Sequence, residues 1–265
     1  ISSPYKVQAL VPPLFAEDLA EIPSVILTSL PSLEVNFLIF NMDDVVVGDK
    51  RIRSAIASAI DKNAFVDFSH GYANPSNQFV SNGIFGFNPD IEENKMTITQ
   101  AKKIVRDYDA FKKPQIAVDM VQGTEVIGEY IKNQLDEIGI TVSLNFLSWD
   151  DLEQKILDKE SQVYYLGWRS EIGDASDFFE NVVSSSSYFN GGNYLNKKID
   201  QLIALSLKNL DQTKRLKQLH EIMQVIVDDD IIGVPLFESD VIYGVKVGIQ
   251  FKPRLDGAVL ASEIY

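Results

Sequence analysis

Gln115-Ile-Ala-Val-Asp-Met120, Ile140-Thr-Val-Ser-Leu-Asn-Phe146 and Gln162-Val-Tyr-Tyr-Leu-Gly-Trp168 are the stretches that decide the fold class. In the second, Ile140, Val142, Leu144 and Phe146 alternate with Thr141, Ser143 and Asn145, the period of a strand with one buried face. Between the first two, Thr124 to Ile138 places Ile127, Ile131, Leu135 and Ile138 on one helical face, and Gly139 supplies a C-terminal stop. Between the second and third, a helix runs to about Leu157, with Asp150 and Glu153 as its expected caps. Strand, helix, strand, helix, strand predicts right-handed crossovers and parallel pairing. The class is α/β, with a mostly parallel central sheet flanked by helices.

Working outward, residues 1–40 are punctuated by proline and strand-like, ending in Val35, Phe37, Leu38, Ile39 and Phe40. Asn41 to Asp44 breaks that pattern and Asp49 opens a helix. Ile52, Ala55, Ile56, Ala59 and Ile60 make one buried stripe along it. Residues 69–96 are rich in Asn, Gly, Ser and Pro and predict irregular chain. Thr97 with Gln100 has capping-box spacing and starts a helix to about Tyr108. Amphipathic helices follow over about 197–210 and 213–227, and 233–237 and 241–247 return as extended chain.

The 265 residues carry 24 Lys+Arg against 38 Asp+Glu, a net charge of −14, and 45% are apolar. Such a chain can bury a core, so disorder is excluded. Nucleic acid is an unsuitable partner, because phosphate neutralisation needs clustered cations. No apolar run is long enough to span a bilayer. Zero cysteines removes disulfides, thiolate metal sites and cysteine nucleophiles. The sequence begins at Ile1 with no charged-then-apolar leader, which gives the expectation that an upstream segment is missing.

Catalytic and metal readings find little. His70 and His220 lack spaced His or Cys partners, and His220 reads as a helix boundary position. Carboxylate pairs such as Asp43/Asp44 and Asp150/Asp151 leave a glycoside-type hydrolase as a formal alternative, although caps and solvated faces account for them. No cofactor, metal or catalytic residue is assigned. Ligands of open α/β sheets sit beyond the carboxyl ends of the strands. There, the strand ending at Trp168 feeds Arg169-Ser-Glu-Ile-Gly-Asp-Ala-Ser-Asp177. Trp168 can form an apolar wall, and Glu171 or Asp174 can receive a cationic group. Tyr165 and Arg169 join them as candidates by adjacency.

Several ordered segments resemble one family. Asp49-Lys-Arg-Ile-Arg-Ser-Ala-Ile-Ala-Ser-Ala-Ile-Asp61 resembles the D-x-R-V-R-x-A-I-x-x-A-I-D helix of the large peptide-binding class (family 5) of extracellular solute-binding proteins, the receptors of ABC importers. Gly71, Ala73 and Pro75 fit its G-x-A-x-P. Leu135 to Gly139, then Ile140, Val142 and Trp149, are similar to its L-x-x-I-G-I-x-V…W. Gly167-Trp168 with Glu171 and Asp174 resembles its G-W-x-x-D-x-x-D-P loop. Asn190, Asn193, Asn196, Asp200 and Leu202, and later Arg215 with Pro235-Leu236-Phe237, follow in family order. Glu171 stands where the family usually has Asp, and Ala175 where it has Pro.

The resemblance implies a non-enzymatic receptor that closes two lobes over a di- or oligopeptide by hinge motion. An ABC permease would be its membrane partner, and it would act as a monomer. Residues 1–43 would be a remnant of the first lobe with one hinge crossing, 44–245 the C-terminal ligand-binding lobe, and 246–265 the return to the first lobe. The hinge strands would lie near Asn41–Asp44 and Tyr243–Val247. Glu171 would hold the peptide's ammonium and Trp168 a side-chain pocket. The resemblance also implies an extracellular or periplasmic location, with a lipid anchor ahead of residue 1 as one form. Relatives on this scaffold leave an oligosaccharide or a metal chelate open as ligand, with Tyr164, Tyr165, Trp168 and Tyr188 as aromatic platforms for a sugar. A pure interaction module is the remaining reading.

Overall fold

Alternation along two long strands organises the molecule, because each sends successive side chains into different cores. A computed structural model describes residues 7–8, 10–92, 96–108 and 113–264. The chain runs β1 (Val7–Gln8), α1 (Ala16–Ala20), β2 (Val25–Phe40), α2 (Lys50–Ala59), α3 (Ala64–Phe68), β3 (Ala73–Pro75) and α4 (Ile98–Tyr108). It continues through β4 (Gln115–Val121), α5 (Glu125–Ile138), β5 (Thr141–Leu147), α6 (Trp149–Leu157), β6 (Val163–Arg169) and α7 (Ser176–Phe178). The last elements are α8 (Lys197–Lys208), α9 (Gln212–Gln224) and β7 (Gly233–Lys246).

The sheet order is β1-β7-β2-β6-β4-β5, with β3 also on β7. Parallel pairing is confined to β4–β5 and β4–β6; β2 pairs antiparallel with both β6 and β7. The sequence-derived βαβαβ unit is therefore present, but β2 and β7 add an antiparallel half to the same sheet. Leu38 and Phe40 of β2 join Tyr165, Val118 and Ile131 in the core under α2, α4 and α5. Val35, Phe37 and Ile39 face the opposite way, into the core under α6, α8 and α9 with Tyr164, Phe178 and Leu219.

Local chemistry fixes the helix ends. Asp49 accepts from the Arg51 amide at the start of α2. The Thr97/Gln100 capping box forms in both directions: Thr97 N donates to Gln100 Oε1 at 2.8 Å and Gln100 N to Thr97 Oγ1 at 3.3 Å. Gly139 ends α5 with φ of 95°, a conformation that glycine adopts without strain. At α6 the expectation is corrected: Ser148 is the cap, accepting from Asp151 N at 3.2 Å, while Asp150 lies in the first turn. There its charge complements the helix dipole instead of capping.

The β2–β7 pairing slips between Pro31 and Val35, opposite Asp240 and Glu238. Beyond that slip the two main cores end. Small clusters around Val11 and Ile242, and around Val241, Tyr243 and Val245, take over. Asn41–Asp44 lies at the other end of β2, where Asn41 N donates to Gln162 O and Met42 N to Gly192 O.

Candidate ligand-binding site

The segment after β6 is a built loop. Ser170 N donates to Leu33 O, which carries the β2 contact one residue past the strand. Ser170 Oγ accepts from Gly173 N at 3.1 Å and folds the turn back, with Gly173 at φ of 68°. Phe85 N then donates to Gly173 O, and Ala175 N to Phe85 O, so the loop is stitched to the 84–87 segment. Ala175 is fully buried, and a Cβ on Gly86 would lie 2.6 Å from its Cβ. This close approach needs both small side chains.

Asp174 is held by the protein itself. Arg215 Nη1 reaches its Oδ2 at 2.5 Å and Nη2 its Oδ1 at 2.9 Å, while Nε donates to Ser206 O at 3.0 Å. The Arg215 guanidinium also lies 5.3 Å from the Phe85 ring centroid. Burial pushes the Asp174 carboxyl up, but the Arg215 and Ser176 hydrogen bonds outweigh it and leave the group below its ordinary value. Asp177 organises the tip: its Oδ2 accepts from Trp168 Nε1 and from Glu171 N, both at 3.3 Å. The Trp168 ring meets Phe178 edge to face at 6.3 Å. Glu171 is exposed, and its carboxylate has no partner among the described residues.

The strand's period of two divides the sequence-derived candidates. Trp168 sits opposite Val35 and packs on the α8/α9 side. Tyr165 and Arg169, opposite Leu38 and Glu34, lie on the other face. Tyr165 is buried there and donates its hydroxyl to Asn36 Oδ1 at 2.7 Å; burial keeps the phenol protonated far above its usual range. Arg169 Nη2 bonds Glu34 Oε2 at 2.9 Å. The loop thus brings Trp168, Glu171 and Asp177 together, ties Asp174 to Arg215, and leaves Tyr165 and Arg169 across the sheet.

Glu34, Asn36 and Glu238 escaped the sequence reading. Glu238 lies opposite Val35, itself opposite Trp168. Its Oε1 accepts from Asn82 N at 3.0 Å, and burial raises its carboxyl. The detectable signal was a single polar or acidic residue inside an apolar strand, since a buried polar group there needs a partner.

The β6 edge completes the geometry. On its β4 side, β6 pairs only at Val163 and Tyr164, whereas pairing with β2 continues to Arg169. Gln162 O and Ser170 N both point to β2. By antiparallel alternation, the Gly167 amide groups therefore point to the open side. Gly167 is exposed. A separate cavity of about 610 Å³, between Lys50, Asp228 and Pro235, shares no residue with this edge. Among the described residues, no cluster of three or more His, Asp or Glu converges to hold a metal ion. His220 Nε2 donates instead to Phe87 O at 2.9 Å. No helix among them is long and apolar enough to cross a membrane.

Residues 5–190 match the profile of bacterial extracellular solute-binding proteins, family 5, in its middle section. The chain belongs to this family. The dipeptide-binding protein of Escherichia coli K12 is 23% identical over 240 residues, covering 86% of this chain and 44% of that protein. The substrate-binding protein CtaP of Listeria monocytogenes superposes with a TM-score of 0.87 at 20% identity, over 98% of this chain and 55% of its own. DppA of Helicobacter pylori, solved with the peptide STSA, gives 0.86 at 18% identity, over 98% and 52%. The chain therefore spans about half the length of these relatives. Family 5 members are extracellular or periplasmic receptors, and the periplasmic-binding-protein lobe expected from the sequence is the fold observed.

Proposed function

We propose that this lobe binds an extended peptide, which adds as a strand to the open edge of β6 within a two-lobed ABC-importer receptor. The observation that carries the reading is the overhang of β6 beyond β4, which leaves the Gly167 amide groups without a strand partner beside the Trp168 loop. Main-chain bonding at such an edge gives affinity with little dependence on side chains. Glu171, exposed at the loop tip, takes the peptide ammonium, and Trp168 walls a neighbouring side-chain pocket. Asp174 serves by holding the loop through Arg215. The dipeptide-binding relative and the peptide-bound DppA support this ligand class. Closure of the two lobes excludes water, with the hinge at the β2–β7 slip of Pro31 and Asp240 in place of the expected crossings near Asn41–Asp44 and Tyr243–Val247.

Calorimetry on the full-length chain tests the reading. Tri-alanine should bind, and Glu171→Gln should weaken it about ten-fold, the scale of a hydrogen bond to a charged group. N-acetyl tri-alanine should bind weakly and be indifferent to the substitution. Equal loss for both peptides would remove Glu171 from ammonium recognition.

A further inference from the structure

On the face of β6 opposite Trp168, two side-chain oxygens lean over the bare backbone of Gly167. A Cβ built on Gly167 would lie 3.0 Å from Asn36 Oδ1 and 3.2 Å from Glu34 Oε1. Each is oriented by its other contacts. Asn36 Nδ2 donates to Ser239 Oγ at 2.8 Å and its Oδ1 accepts from the Tyr165 hydroxyl, which leaves one lone pair of that oxygen toward Gly167. Glu34 Oε2 is taken by Arg169 Nη2 at 2.9 Å, so Oε1 is the oxygen that overhangs the strand. Glu34 is a quarter exposed, with 26% of its side-chain surface accessible, and Gly167 is exposed beside it. The two groups nearest this point are thus acceptors, one of them anionic.

We propose that Glu34, with Asn36, selects a cationic side chain on the bound ligand, of lysine or arginine type, at the residue lying against Gly167. The proposal rests on the β6-edge reading above and assigns it a specificity. A ligand strand beside Gly167 presents alternate side chains to the two faces of the sheet. On this face an ammonium or guanidinium donates to Glu34 Oε1 and Asn36 Oδ1, which gives it charge-assisted bonds. A carboxylate or an apolar tip there would leave those acceptors desolvated without donors. Arg169 engages Glu34 through Oε2 and leaves Oε1 over Gly167, and Glu171 and Asp177 add negative charge around the strand end. Gly167 itself fits the same account, because any side chain there would fill the space the ligand group needs.

The test is a positional series of tripeptides on the full-length chain. Lys-Ala-Ala, Ala-Lys-Ala and Ala-Ala-Lys are each titrated against their glutamine isosteres, and the readout is the Lys/Gln affinity ratio. One position should favour lysine about ten-fold, and Glu34→Gln should abolish that ratio. The double variant Glu34→Gln with Arg169→Gln checks that an unpaired Arg169 does not cause the loss; the ratio should stay abolished. A ratio near one in the wild type, a lysine preference that survives Glu34→Gln, or its return in the double variant overturns the assignment. If no tripeptide binds the wild type at all, the peptide reading falls and the specificity with it.

Discussion

Asp174→Asn is the perturbation whose size the structure defines best. Each side chain of the Asp174–Arg215 pair is only 18% exposed, and the contact is bidentate. The asparagine retains one acceptor but turns an NH₂ group toward a guanidinium that only donates. Breaking a fully buried pair from one side costs about 3–5 kcal/mol, because the surviving charge is left uncompensated. Here solvent reaches both groups, and Arg215 keeps Ser206 O and the Phe85 ring, so about 2 kcal/mol is the expected loss. Urea unfolding should show it as a lower midpoint at unchanged slope. Arg215→Met should cost a similar amount, and the double variant less than the sum. The sign of the pH dependence follows from the lowered Asp174 value. A carboxyl held lower in the folded state contributes fully above its unfolded value of about 3.9 and loses that contribution as pH falls through the folded one. The difference between wild type and Asp174→Asn should therefore be constant from pH 7 to 5 and shrink below about pH 4. A loss under about 0.5 kcal/mol in both single variants would refute the clamp, since that is the range of ordinary surface pairs.

Other outcomes follow from single sites. Glu238 has its carboxyl raised by burial, so ionising it opposes folding. Its folded state is favoured most below the unfolded carboxyl value, and that advantage is lost as pH rises through the folded one. Glu238→Gln keeps the acceptor for Asn82 N and should raise the melting temperature at pH 7, with the gain vanishing near pH 4. Gly233→Ala would drive a Cβ into the Leu38 carbonyl oxygen, a backbone atom, at the Gly233 end of the β2–β7 pair. It should cost about 3 kcal/mol or more, or prevent folding, as read by circular dichroism and soluble yield. Asp49→Ala removes the cap of α2 and should cost about 1 kcal/mol in the same urea assay.

The βαβαβ unit was legible because its periodicities are local: the Ile127–Ile138 stripe and the 140–146 alternation each lie within one element. The antiparallel half was not. Phe37 and Pro235 pair although they are 198 residues apart in sequence, and a strand buried on both faces gives no sign of its partner's direction. Ser148 was missed as a cap because acids in a first turn resemble caps in sequence while acting on the dipole. At the site, the position of the Trp168 loop after a strand was readable, and Glu171 stands exposed on it. The fate of Asp174 was not readable, because its partner Arg215 sits on a helix 41 residues away. That Tyr165 and Arg169 would face away from Trp168 follows from the same alternation that identified the strand. Glu34 and Asn36 acquire meaning only once β2 is laid against β6.

Native mass spectrometry of the full-length protein, purified without refolding, tests the central claim most directly. A receptor that holds peptides through their main chain should carry a heterogeneous ladder of adducts whose masses fit short peptides, enriched in lysine and arginine. A single discrete adduct of hexose or metal-chelate mass would contradict peptide binding while leaving the fold intact.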